Sequence, residues 1–158
     1  MALGLNDLLV QPGDEAIRAA AKAWEWRLPE PWKPVVCSAI GDIFLKKGND
    51  EVWWLDCGRN MLERIADNEQ IFSTLLDADH TEAWFLPPLV EALRQSGKIL
   101  SARQCYSFTI LPIFAEGKYE SQNMHVLPAQ AHYCLTADLH RQIRDMPDGA
   151  KIELKIVP

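Results

Sequence analysis

Apolar residues recur along the chain with two different periods, and each change of period marks an element. Ile17, Ala20, Ala21 and Trp24 share one side of a helix, and Gly13-Asp14 just ahead is a start signal in which Asp14 accepts hydrogen bonds from the open first-turn amides. Pro29, Pro31 and Pro34 forbid continuation, since each lacks an amide donor and biases its predecessor toward extended backbone. From residue 35 to 66 the period falls toward 2. A strand over 41–46 ends at Gly48-Asn49-Asp50, a return strand covers 51–56, and after the Cys57-Gly58-Arg59-Asn60 turn a third strand runs over 61–66. The pattern predicts an antiparallel meander in which Trp53 and Trp54 point to opposite faces, one into the core and the other under a covering element or exposed.

Helical spacing then returns. Asp67-Asn68-Glu69-Gln70 has the form of a capping box, with Asp67 as the cap, and Ile71, Phe72, Leu75 and Leu76 form the apolar stripe behind it. Pro87-Pro88 suits the first turn of a helix that reaches Gln95 and stops at Gly97, with Leu89, Val90 and Leu93 facing inward. The stretch 98–131 is the least patterned, with strands expected over 105–110 and 124–127. Leu135, Leu139 and Ile143 predict a helix capped by Thr136 and terminated by Pro147-Asp148-Gly149, and the strict alternation over 150–157 predicts a half-buried strand. Strands followed by helices without a βαβ rhythm make this an α+β domain, an antiparallel meander sheet flanked by helices. Residues 1–34 read as a helix with a proline-rich lead, and 35–158 as the domain proper.

Composition narrows the class. The chain has 158 residues, 48% hydrophobic and 24% charged, which fits one globular domain with a core that needs no staples. No apolar run approaches the ~20 residues that span a bilayer, and the first residues lack a signal-peptide pattern, so a cytoplasmic location is expected. Cys37, Cys57, Cys105 and Cys134 form no C-x-x-C pair, and His80, His125, His132 and His140 form no H-x-x-x-H pair, so neither a metal site nor a cofactor is expected. Gly-rich phosphate loops and a G-x-S-x-G elbow are absent. A Cys-His nucleophile assembled from Cys105 or Cys134 with His125 or His132 stays open as a spatial pairing, but buried thiols explain these residues more simply.

Charge changes the picture most. The formal net charge is −6, a poor basis for binding nucleic acid. It is concentrated: residues 65–93 hold Asp67, Glu69, Asp77, Asp79, Glu82 and Glu91 and no Lys or Arg. Two readings stand, a pair of solvated helix faces with acidic first turns, or a landing surface for a basic partner made by Glu69, Asp77, Asp79 and Glu82. Trp84, within the Asp79 to Phe85 stretch, is either an aromatic anchor of that surface or a plug for the core.

Ser38-Ala39-Ile40-Gly41-Asp42-Ile43-Phe44-Leu45, Val52-Trp53-Trp54-Leu55-Asp56, Leu62-Glu63-Arg64-Ile65-Ala66, Trp84-Phe85, Gln104-Cys105-Tyr106 and His140-Arg141-Gln142-Ile143 before Pro147-Asp148-Gly149 follow one another in an order that resembles the C-terminal domain of Tdi-type immunity proteins. More distantly the meander with its following helix resembles the SUKH group. The resemblance covers about residues 35 to 157. It implies a non-enzymatic protein that neutralises a DNA-degrading type VI secretion effector by stoichiometric binding, and it carries over no catalytic residue. A small enzyme and a housekeeping adaptor are the alternatives from other classes; the first calls for a pocket with convergent polar groups.

Overall fold

The computed structural model describes residues 3–76 and 80–152. Its elements in chain order are α1 (Leu5–Leu8), β1 (Leu9–Val10), α2 (Asp14–Ala23), β2 (Trp32–Ser38), β3 (Ile43–Lys47), β4 (Glu51–Asp56), β5 (Met61–Ala66), α3 (Glu69–Leu76), α4 (His80–Phe85), α5 (Pro87–Gln95), β6 (Gln104–Phe108), a 3-10 turn (Ser121–Asn123), β7 (Met124–Pro128) and α6 (Ala129–Ile143). Strands β1 to β5 form one antiparallel sheet in sequence order, and β6 and β7 pair as a separate hairpin. The expected meander is thus the β3–β4–β5 part of a longer sheet. Strand β2 carries Pro34 because β1 pairs only with its last residues, Cys37 and Ser38, leaving the proline without a strand on that side. The register of β2 against β3 shifts just beyond it, between Pro34 and Val36. Charged Glu63 and Arg64 on the outer strand β5 discourage further pairing there.

Both faces of the sheet are covered. Phe44, Val52 and Trp54 meet Phe72, Trp84, Phe85, Val90 and Leu93 from α3, α4 and α5. On the opposite face Ile43, Leu45 and Leu55 meet Ala16, Ala20 and Trp24 from α2 and Tyr133 and Ala137 from α6. This explains the unbroken Ile43-Phe44-Leu45 run, in which alternate residues enter different clusters. Trp53 and Trp54 do face opposite ways, but both are half-buried, one in each cluster, rather than one buried and one free.

Helix ends follow local chemistry. Gly13, not Asp14, is the residue ahead of α2, and Asp14 sits in the first turn without capping it. Asn68 rather than Asp67 caps α3, accepting from the Ile71 amide at 2.9 Å, because Asp67 is engaged by Arg64. Ile71 is exposed and Phe72 carries that helix's buried contact. Helix α5 begins at Pro87-Pro88 and ends in a Schellman turn, with Lys98 N donating to Leu93 O and Gly97, at φ +89°, donating to Arg94 O, both at 3.0 Å.

Helix α6 starts at Ala129, ahead of Thr136. The Thr136 hydroxyl donates back to His132 O at 2.9 Å, inside the helix. Its buried face is Ala129, His132, Tyr133, Thr136, Ala137 and His140, whereas Leu135 is 60% exposed. Most of the strand expected over 150–157 lies outside the described residues; 150–152 belong to no strand. Among the described residues no helix is long and apolar enough to cross a membrane.

Candidate partner-binding site

Three acids of the stretch lie on helices, Glu69 on α3, Glu82 on α4 and Glu91 on α5. Glu69, in the first turn of α3, is bound by Lys46 of β3 at 2.8 Å, so it has a cation of its own within the fold. Glu82 is exposed in the first turn of α4. Asp77 and Asp79 lie outside the described residues. Trp84 takes the core alternative: it is 5% exposed, with its ring 5.6 Å from Phe44 and 5.5 Å from Phe72, and His80 covers it at 5.0 Å. The anchoring role for Trp84 is therefore withdrawn, because an indole packed among three phenylalanines buys far more apolar burial inside than at a surface.

A cleft that the sequence did not announce opens at the end of the β3–β4 pair. The link between β2 and β3 folds back on itself: Gly41 N donates to Ser38 O at 3.1 Å, and Asp42 N donates to Ser38 Oγ at 3.0 Å. Gly41 adopts φ +91°, and a Cβ there would fall on the His132 ring, whose Nε2–H donates to Gly41 O at 2.8 Å. That donation leaves Nδ1 to accept from the Ser107 hydroxyl at 2.8 Å, fixing a neutral imidazole. Burial, partly offset by the Gly41 carbonyl, holds His132 down at a pKa of about 4.

So positioned, the Asp42 carboxyl accepts from Trp54 Nε1 and from Cys57 N, each at 3.1 Å. Asp56, at the end of β4, accepts from Gly58 N and Arg59 N at 3.0 Å and from Arg59 Nε at 2.6 Å. Burial first, then the neighbouring Asp56, push the Asp42 carboxyl well above its ordinary range, against the opposing pull of Trp54, Cys57 and Arg59. The cleft encloses about 230 Å³, walled by Ile40, Trp54, Leu86, Phe108 and Tyr119. Burial, with Asp56 adding to it, pushes the Tyr119 phenol up to about 12.

Past Leu86 and Tyr119 a shallower groove continues along Pro88 and Ala92 to Glu120. Its outer wall, the 109–123 connection, is held as a unit. Asn123 exchanges hydrogen bonds with Ile110 N and O and donates to Lys118 O, all at 2.9 Å, and Lys98 Nζ donates to Ser121 O and Met124 O at 2.7 Å. Ile110, Ile113 and Tyr119 stand exposed on this braced segment.

The remaining titratable candidates do not meet. His140 is buried and donates from Nε2 to Cys57 O at 2.7 Å, while His125 is beside Thr109 at 3.2 Å. Cys37, Cys57 and Cys105 are buried thiols, and burial pushes Cys37 up to about 11, away from nucleophilic use. Among the described residues no group of three His, Cys, Asp or Glu is placed to hold a metal ion.

Residues 66–140 match the family model described as "T6SS immunity protein Tdi1, C-terminal". The match opens at the last residue of β5 and closes within α6, taking in α3 to α5, both hairpin strands and the 109–123 wall. No curated protein sequence matches the chain. Among solved structures it is similar to the "Crystal structure of Atu4351 from Agrobacterium tumefaciens", with 14% sequence identity and a TM-score of 0.50. That likeness covers 82% of this chain and 65% of the other, so this chain spans somewhat under two thirds of that protein's length, and it is a likeness of fold. Over residues 66–140, just under half of its length, the chain is similar to the C-terminal family of Tdi1-type type VI secretion immunity proteins.

Proposed function

We propose that this protein acts in the cytoplasm as a stoichiometric inhibitor of one effector, a nuclease, and that the acidic stretch around Asp77, Asp79 and Glu82 covers the effector's cationic substrate groove. The family match over residues 66–140 carries this reading, and its first part, residues 66–93, is the stretch in which acidic residues run without Lys or Arg. A nuclease groove is built for phosphate, so its Lys and Arg side chains complement such a face and speed the encounter. Glu82 stands exposed at the start of α4, and Asp77 and Asp79 precede it in sequence; Glu69, already bound to Lys46, contributes less.

The test is co-purification with the product of the neighbouring gene, followed by association kinetics. Asp77, Asp79 and Glu82 are reversed to Lys, and circular dichroism checks that the fold is kept; Glu82 is exposed, where a charge adds little stability. The association rate at low salt falls at least tenfold, and its salt dependence flattens. Equal rates for wild type and triple variant at low salt would show that this face does not meet the effector.

A further inference from the structure

The cleft beside Trp54 is built around carboxylates more than its apolar walls require. Asp42 and Asp56 are 5% and 6% exposed, and the one cation lining the cleft with them is Arg59, whose Nε already serves Asp56. The groups aimed at these two carboxyls are all donors: the Trp54 indole and the amides of Cys57, Gly58 and Arg59. Fixed donors of this kind favour the ionised form, but burial and the neighbouring Asp56 outweigh them at Asp42, so in the free protein a proton on Asp42 balances the site; with both carboxyls ionised, two carboxylates face one guanidinium and a negative charge is in excess. A surplus of that sort is relieved by a proton or by a cation.

The space suits a cation on a stem. About 230 Å³ admits one long side chain. One face of Trp54 is stacked on Phe44, and the Arg59 guanidinium already lies 5.8 Å from the centroid of its ring, so a guest cation would share or take over that position beside Tyr119, while Leu86 and the groove toward Pro88 offer an apolar path for the methylenes behind it. The outer wall is braced before anything binds, so a guest would not have to order it.

We propose that the cleft between Asp42, Asp56, Trp54 and Tyr119 receives one basic side chain, lysine or arginine, that the effector presents. The proposal rests on the reading that this chain binds an effector, and it places a second contact away from Asp77, Asp79 and Glu82. An apolar plug and an anion drawn by Arg59 are the competing guests, and charge separates them.

The full chain, labelled with 15N, is titrated with N-acetyl-lysine methylamide and N-acetyl-arginine methylamide, and in parallel with the neutral norleucine and anionic glutamate analogues. The cationic probes shift the Trp54 indole resonance and the Cys57 and Gly58 amides saturably, at millimolar concentration, and the other two do not. Arg59→Gln removes the competing cation and tightens the cationic probes at least threefold. Absence of a saturable shift, equal binding of the norleucine analogue, or weaker cation binding in Arg59→Gln overturns the proposal. With effector in hand, Ala83→Trp, a change at an exposed position on the cleft's rim, weakens capture at least tenfold in folded protein. Undiminished capture by Ala83→Trp overturns the cleft proposal and leaves effector binding intact. Failure of the wild type to capture effector removes the functional reading, and with it the identity of the guest, whatever the probes do.

Discussion

At His132 one imidazole fixes the turn on which the whole cleft depends. It is 1% exposed, holds Gly41 O through Nε2 and receives Ser107 through Nδ1. With its pKa at about 4 in the folded chain against 6.5 for the free side chain, the unfolded chain takes up this proton first as pH falls. The contribution is therefore complete above about pH 6.5 and is lost progressively toward pH 4, the loss at pH 4.5 being on the order of 2 to 3 kcal/mol. Asp42 works in the opposite sense, since a raised carboxyl favours the folded state at low pH and gives that up as pH rises through its folded value. In His132→Gln the side-chain amide can still donate to Gly41 O and keep Asp42 in its turn, so the comparison isolates the imidazole's titration. Urea unfolding at pH 7 and pH 4.5 shows a drop in stability that is smaller in the variant by on the order of 2 to 3 kcal/mol; equal drops would place the acid sensitivity elsewhere.

Among the elements, β4 shows how alternation translates into energy. Trp54 stacks on Phe44 with ring centroids 5.9 Å apart and planes 2° from parallel, and it donates to buried Asp42. Trp53, on the other face, lies under the Lys47 ammonium at 4.3 Å and has no hydrogen-bond partner for its buried indole N–H. Trp54→Ala thus costs about 4 kcal/mol, and Trp53→Ala about 2, because only the first strips a donor from a buried acceptor as well as removing apolar area. Chemical denaturation of the two variants checks the order, and a reversed order would contradict the assignment of faces. The strands and α5 were legible because turn residues and prolines act locally: Gly48-Asn49-Asp50, Pro87-Pro88 and Gly97 fix their own dihedrals. Helix α6 was misread because its inward positions are Ala, His, Tyr and Thr, while the Leu135 to Ile143 spacing marks a flank. Periodicity reports large aliphatic side chains, and this helix packs through small and polar ones.

For the molecule as a whole, the acidic segment was visible in the sequence since it is contiguous, and the cleft was not. Asp42, Asp56, Arg59 and Tyr119 are individually ordinary, and only the closure of the sheet against the 109–123 connection brings them together. Asp56 and Arg59 read simply as a strand end and a turn. The Gly41-Asp42 pair was the one available signal, a positive-φ glycine beside an acid at a strand start. The N-terminal lead is equally tied to distant chain: Ala16, Ala20, Trp24 and Leu28 are all buried in the cluster that also holds Tyr133 and Ala137. A fragment beginning at residue 35 loses those four side chains and leaves the inner face of α6 uncovered. The expected outcome is no cooperative thermal transition in that fragment, against a single transition for the full chain; a sharp melt from the fragment would show that the sheet and α6 suffice alone.

The packing of α2 on α6 also sets an order in time. Roughly a hundred residues separate these two helices in the chain, and synthesis at ~5–20 residues per second delivers the second one about 5–20 s after the first. Through that interval Trp24 and its neighbours can bury only against Ile43, Leu45 and Leu55 of the sheet, and the side that meets Tyr133 and Ala137 stays open. Closure of the second cluster therefore waits for α6, long after the sheet it closes against has been made.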